Sequence, residues 1–264
     1  MTTKDLVESK RLAESGHWYT IDGKPMYTIV GKNGKIRNTN LKDARKLNLV
    51  PSVTTILDVA AKPGLVNRQV NQGIQAALTL PRKIDETDEE FLHRVRQDSK
   101  EQAEKAAEEG TKIHADINMG FAGKKDSEVY THLREILDKL FPKAGWLSEQ
   151  SYTNKEKGYG GAIDLHSESI VVDFKTKDNI EGKDASKLVF DNHGMQLSAY
   201  AELLYIGKPT RVSIFIDRKN PSVILPYVWD MESHLKHLVM FNSLLTYWKM
   251  SKNYDPTETR KEGY

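Results

Sequence analysis

The chain has 264 residues, 38% hydrophobic and 29% charged, with a net charge of +2 and a sequence pI near 8.4. That length can bury a substantial core, and the mild basicity permits a nucleic-acid partner without demanding one, since no long Lys/Arg block is present. The absence of cysteine excludes disulfides, thiolate zinc sites, cysteine-held iron–sulfur clusters and a cysteine nucleophile. With the polar start MTTKDLVESKRLAESG and no run near the ~20 apolar residues of a membrane span, the expectation is a soluble cytoplasmic protein without a membrane partner.

Taken in order, HWYTIDGKPMYTIVGKNGKIRN alternates apolar and polar residues around Asp22-Gly23 and Asn33-Gly34. Those dipeptides supply the positive φ of tight hairpins and predict a small β-meander. VPSVTTILDVA begins β-branched and turns helical, and a helix is predicted from Pro63 onward. Thr87 and Glu90 form a capping box that opens a long helix to about Met119. A second runs from Asp126 to Leu140 and ends near Pro142. Three strands are expected between Trp146 and Lys177, then a helix over about Gly194–Tyr205. RVSIFID and SVILPYVW read as strands, followed by a helix from about Glu232 to Met250. The expected organisation is an α/β protein: a β-meander and helical region over 1–145, a sheet-centred core over 146–252, and a flexible tail over 253–264.

The segment GYGGAIDLHSESIVVDFKTKD, residues 158 to 178, breaks the pattern of a buried strand. Side chains alternate faces along a strand, so Asp173 and Lys175 point one way while Val172 and Phe174 point the other. The short turn His166–Ser169 makes the two strands antiparallel neighbours, so Asp164 and Asp173 can converge. Two hard anionic oxygens at one spot suit Mg²⁺ or Mn²⁺. A lysine beside such a metal can orient or deprotonate an attacking water while the ion polarises a phosphate. Carboxylate, carboxylate and lysine are a constellation for phosphodiester hydrolysis.

Acid-x-Lys alone carries little, since it recurs at Glu8, Asp22, Asp98, Glu181 and Asp217, and its ordinary meaning is a salt bridge on a solvated face. This copy differs because it follows an apolar β run and has a Gly-x-x-Asp (Gly161 to Asp164) on the strand before. Further along, Gln196 and Tyr200 in GMQLSAYAELLY sit at i, i+4 and share one helical face. Far upstream, Ala103, Ala107, Gly110 and His114 fall on one helical stripe. Small residues there would let the helix approach the sheet until the imidazole reaches a metal.

G-x-x-D, then β-D-x-K, then Q-x-x-x-Y resembles the PD-(D/E)xK nuclease superfamily in its RecB-type branch, which includes phage and mitochondrial genome-maintenance exonucleases. The likeness covers roughly residues 50 to 250. Gly110, Thr111 and His114 match that branch's G-T-x-x-H stretch. Pro51–Leu57 resembles its S-V-T-x-I-L segment, and Lys62–Leu65 its Lys-Pro-x-Leu; Asn67 and Arg68 stand where such members usually have a tryptophan. The resemblance implies a restriction-endonuclease-like core, a mixed central sheet flanked by helices, with the N-terminal meander and helices forming a wall over the DNA path. It implies His114, Asp164, Asp173 and the backbone carbonyl of Phe174 as ligands of Mg²⁺ or Mn²⁺, with Glu149 assisting. Lys175 would position the attacking water, Gln196 and Tyr200 would shape the site, and Ser52, Thr54 and Thr55 would offer hydroxyls to the phosphate backbone.

The implied activity is a metal-dependent DNA exonuclease acting on single-stranded or frayed ends, in phage-type replication, recombination or repair. Several relatives hold an iron–sulfur cluster through four cysteines; this chain has none to offer. No G-x-x-x-x-G-K-[ST] motif is present, so any annealing, helicase or single-strand-binding partner is a separate chain. A structure-specific or flap endonuclease on the same core, and a non-catalytic DNA-binding recombination accessory, are the alternatives.

Overall fold

Four short strands open the chain: β1 (Trp18–Tyr19), β2 (Thr28–Val30), β3 (Ile36–Asn38) and β4 (Val50–Pro51). The computed structural model describes residues 16–61 and 63–258; residues 1–15, Lys62 of the Lys-Pro-x-Leu stretch and the tail from 259 onward lie outside the described residues. β2 and β3 form a hairpin through Asn33-Gly34, with Gly34 at φ +73°. β1 instead pairs antiparallel with β4, Trp18 opposite Pro51 and Tyr19 opposite Val50. The meander expected from the sequence is present in part: the turn at Asp22-Gly23 closes a tight hairpin, with Tyr19 bridged to Pro25 and the Met26 N–H donating to the Trp18 carbonyl at 2.8 Å, while the ladder of β1 is with β4. Burial decides it: Trp18, Tyr19 and Val50 are sealed in the core, whereas Val30 and Ile36 of the hairpin remain exposed.

Between β3 and β4 lies α1 (Leu41–Leu47), held at its start by a capping box of Asn40 and Asp43. Immediately after β4, Ser52 caps α2 (Val53–Leu57) by accepting from the Thr55 N–H. α3 (Pro63–Thr79) packs on α4 (Asp88–Phe121), whose Thr87–Glu90 capping box has both halves formed. The buried face of α4 is Val95, Gly110, Ile113, Ile117 and Gly120. Ala103 and Ala107 are exposed, so of the expected small-residue stripe only Gly110 reaches the sheet. α5 (Glu128–Leu140) then lays Val129, Leu133 and Leu137 into the same core.

The central sheet has five strands in the order β5 (Leu147–Asn154), β6 (Tyr159–His166), β7 (Ile170–Lys177), β8 (Thr210–Asp217), β9 (Ile224–Val228). β7 and β8 are parallel and the other neighbours antiparallel. The parallel pair needs a crossover, supplied by α6 (Asp191–Leu203); α7 (Ser233–Lys252) packs outside α6. One face of the sheet meets α4 and α5 through Leu165, Val172, Phe174, Val212 and Ile214. The other meets α6, α7 and the N-terminal elements through Ile163 and Val171, with Trp18, Val53 and Ile56 in the same cluster. This is the α/β arrangement with a mixed, helix-flanked sheet that the sequence led us to expect. Among the described residues, no helix is long and apolar enough to cross a membrane.

Sandwiched between sheet and α7, α6 is buried nearly all round. It begins at Asp191 rather than Gly194, because the Phe190 N–H donates to His193 Nδ1 at 3.4 Å and closes the turn early. It is tied to both neighbours by Arg211 of β8, fully buried, which donates to Ser198 Oγ of α6 at 2.9 Å and to Ser233 Oγ of α7 at 2.7 Å.

The tail departs from expectation where it is described. Tyr254 and Pro256 are buried, and the Tyr254 hydroxyl donates to the carbonyls of Ala44 and Leu49 at 3.1 and 2.7 Å. Its ring lies against Trp18 and Trp248. Replacing Tyr254 with Ala is expected to cost about 3–5 kcal/mol, as for a large buried aromatic. Tyr254→Phe, which leaves two buried carbonyls without that donor, should cost about 1–3 kcal/mol. Urea unfolding checks both, and an unchanged midpoint for Tyr254→Ala would mean that the segment is not docked.

Candidate active site

The pleat of β6 slips at one residue. Ile163 faces the α6 side of the sheet and Leu165 the α4 side, although strict alternation would put both on one face. The slip falls on Asp164, where both of its ladders are interrupted. The pairing of β5 with β6 skips from Ser148–Leu165 to Gln150–Ile163, and that of β6 with β7 stops at Leu165–Val172. Glu149, which would face Asp164, has φ +51°, a left-handed conformation that costs a non-glycine residue about 1–3 kcal/mol. In place of a ladder bond, the Phe174 N–H donates to Asp164 Oδ2 at 2.8 Å. The sheet is therefore open around Asp164, and side chains from both faces reach the gap.

From the α6 side come Asp173 and Lys175. Asp173 is 2% exposed, and burial pushes its carboxyl up to about 6; Lys175 opposes that rise and Asp164 adds to it. Gln196 Nε2 donates to Asp173 Oδ1 at 2.8 Å and to the Tyr200 hydroxyl at 3.0 Å, while its Oε1 accepts from Lys175 Nζ at 3.1 Å. Lys175 Nζ also lies 2.5 Å from Asp173 Oδ2 as an ion pair. Gly161 makes room for this cluster: a Cβ there would lie 2.7 Å from the Tyr200 ring. Tyr200 is buried, which raises its phenol well above the usual range and keeps it protonated.

From the α4 side comes His114. Gly110, one turn earlier, sets the approach, because a Cβ there would lie 2.6 Å from Thr176 Oγ1. His114 Nδ1 lies 3.9 Å from Asp164 Oδ2, and the imidazole meets the Phe174 ring edge-on at 5.7 Å. One donor atom each from His114, Glu149 and Asp164 lies within 4.8 Å of the others. Asp173 stands outside this triplet, its two oxygens turned to Gln196 and Lys175. One imidazole and two carboxylates fit a hard divalent cation, and the buried Asp173 Oδ2, paired with Lys175, is a further anionic atom at the same opening.

These residues line a cavity of about 200 Å³ that also includes Phe174, Ser52 and Thr54. Thr55 is turned elsewhere: its Oγ1 accepts from the His17 N–H at 3.1 Å and from Ser52 Oγ at 2.8 Å. The Ser52 hydroxyl in turn lies 2.9 Å from Thr54 Oγ1. Three cavity-lining residues, His17, Tyr19 and Tyr27, were not read from the sequence as site residues. Their only signal was a run of aromatics ahead of the PSVTTIL segment.

No protein-family model matches the chain, and no curated protein matches it. Solved structures are similar to it, these two among them. One is the crystal structure of SSO0001, at 16% identity over 68% of this chain and 85% of that one, with a TM-score of 0.29. The other is an alkaline exonuclease (LHK-Exo) from Laribacter hongkongensis, at 10% identity over 72% and 92%, with a TM-score of 0.34. Overlap at that level assigns no activity to the chain.

Gly110→Ala should force α4 off the sheet at Thr176, cost about 1–3 kcal/mol through overpacking and weaken Mn²⁺ binding several-fold, read by calorimetry. Thr176→Ala in the same chain should restore both; full affinity in Gly110→Ala alone would show that the close approach does not place His114. Beside Lys175, His193 lies between the rings of Phe190 and Phe215. Burial first, then Lys175 and Lys177, push it down to about 3. The unfolded imidazole titrates near 6.5, so this stabilising contribution is complete above about pH 6.5 and is lost as pH falls towards 3. The loss is at most about 1.4 kcal/mol per pH unit. His193→Phe should remove that part of the slope in unfolding measured from pH 7 to 4; parallel curves for the two proteins would refute it.

Proposed function

We propose that the chain is a divalent-metal-dependent DNA exonuclease acting on single-stranded or frayed ends, in a replication, recombination or repair setting. The observation that carries this reading is the convergence, at one opening in the sheet, of His114, Glu149 and Asp164 from one side and of Asp173, Lys175 and Gln196 from the other. His114, Glu149 and Asp164 would hold the ion, with Asp173 joining through Oδ2. An ion bound there would polarise the scissile phosphate and lower the pKa of its water.

The side chains supply the rest. Lys175, held by Asp173 and Gln196, brings a positive charge to where negative charge develops on the phosphate and orients the attacking water. Gln196 fixes the lysine and is itself fixed by Tyr200. Burying an ion pair such as Asp173–Lys175 adds little to stability, which favours a chemical reason for its presence. Ser52 and Thr54 offer hydroxyls to the strand at the cavity wall. An endonuclease on the same core is the competing reading.

End-labelled and circular single-stranded DNA, incubated with Mg²⁺ or Mn²⁺, test the proposal. Linear strands should be degraded and circles spared; equal cleavage of circles would leave a nuclease but remove the exonuclease. Asp173→Asn and Lys175→Ala should each lower the rate by about 10²–10³ with unchanged circular dichroism. Degradation by either variant at the native rate would overturn the assignment.

A further inference from the structure

The cavity has a second wall, and the proposed chemistry uses none of it. It is lined by His17, Tyr19 and Tyr27. Tyr19 is 1% exposed and serves as the foundation, its hydroxyl 2.8 Å from that of Tyr27 and the two rings edge to face at 5.6 Å. Tyr27 and His17 are only half-buried. Their rings overlap at 4.5 Å between centroids with an angle of 30°, which makes them one aromatic surface at the cavity.

That surface is held rigidly. The His17 N–H donates to Thr55 Oγ1, and the His17 carbonyl accepts from the Ser52 N–H at 2.9 Å. Gly16 precedes it at φ +108°, a conformation that a side chain would strain. On the other side, Met26 N–H donates to the Trp18 carbonyl at 2.8 Å and Thr39 N–H to the Tyr27 carbonyl at 2.9 Å. Ser52 bridges to Gly160 of β6, and Thr153 Oγ1 of β5 donates to the Ile21 carbonyl at 2.7 Å, so the wall is seated on the strands that carry Asp164 and Glu149. A core needs no half-open aromatic pair braced in this way against an acidic pocket. At about 200 Å³ the cavity is smaller than the ~300–1,000 Å³ pockets that enclose drug-sized ligands, so a group meeting the acids also meets the rings.

We propose that the His17–Tyr27 pair is a stacking platform for the base of a nucleotide adjoining the scissile phosphate, and so a substrate-positioning element of the nuclease. The inference rests on the function proposed above. Every base has a π-face, so such a platform selects nucleic acid without selecting sequence. The tyrosine hydroxyl, committed to Tyr19, contributes to bracing rather than to recognition.

A cycle that perturbs wall and substrate together tests this. Native protein, Tyr27→Leu, Tyr27→Phe and His17→Leu are each given single-stranded oligonucleotides carrying an abasic site at one of the first three positions from the cleaved end, and the intact oligonucleotide, with Mn²⁺. In the native protein one abasic position should raise KM about tenfold or more while kcat changes little. Tyr27→Leu should show the raised KM already with the intact strand and no further rise with the abasic one. His17→Leu should fall between, and Tyr27→Phe, which keeps the ring, should retain the native discrimination against the abasic strand. Discrimination against the abasic strand by Tyr27→Leu equal to that of the native protein would overturn the platform, as would indifference of the native protein to every abasic position. If the native protein hydrolyses no DNA at all, the nuclease reading itself fails and the platform falls with it.

Discussion

The break in strand pairing at Asp164 is the feature on which the rest of the site depends. A continuous sheet would send alternate side chains to opposite faces, and an acid on one face could not meet an imidazole from the other. By slipping its pleat between Ile163 and Leu165, β6 leaves a gap that His114 enters from α4 and that Asp173 and Lys175 border from the α6 side. The backbone groups released by the slip do not all go unpaired: Asp164 itself accepts the Phe174 N–H. The left-handed turn at Glu149 is the local strain that accompanies this opening.

The second constraint is the burial of Asp173. A carboxylate at 2% exposure is costly unless it is compensated, and here Gln196, Lys175 and the nearby opening share that task. Gln196 is held by Tyr200, Tyr200 is admitted by Gly161, and α6 is tied to β8 and α7 by Arg211. A charge held in a low-dielectric site by groups that cannot move is already arranged for electrostatic work before any substrate arrives.

Much of this was legible in the sequence because it is periodic. The alternation Val171-Val172-Asp173-Phe174-Lys175 tells which side chains share a face, and Gln196 and Tyr200 at i, i+4 tell that they act together. The Thr87–Glu90 box announces α4. What could not be read is non-periodic or long-range. The slip at Asp164 leaves no mark on residue types, since an acid in a regular strand looks the same. That β1 pairs with β4 as well as with the segment after Asp22-Gly23 is decided by which strands are buried, and that depends on α6 and α7. The aromatic wall was hidden for the same reason: His17 and Tyr27 belong to a polar, turn-rich stretch, and only packing on β5 and β6 turns them towards the acids. Ala103 and Ala107 show the reverse error, a correct helical spacing on a stretch of α4 that never reaches the sheet.

The Tyr254 hydroxyl spans to Ala44 and Leu49 across more than 200 positions of sequence. Those carbonyls flank the segment that leads into β4 and Ser52, and the Tyr254 ring rests on Trp18, next to His17. On a ribosome, the front of the chain therefore waits until Tyr254 has been synthesised before its supports are complete. A chain stopped before Tyr254 would carry every acid of the site and the lysine, yet lack the buttress behind the aromatic part of its own cleft.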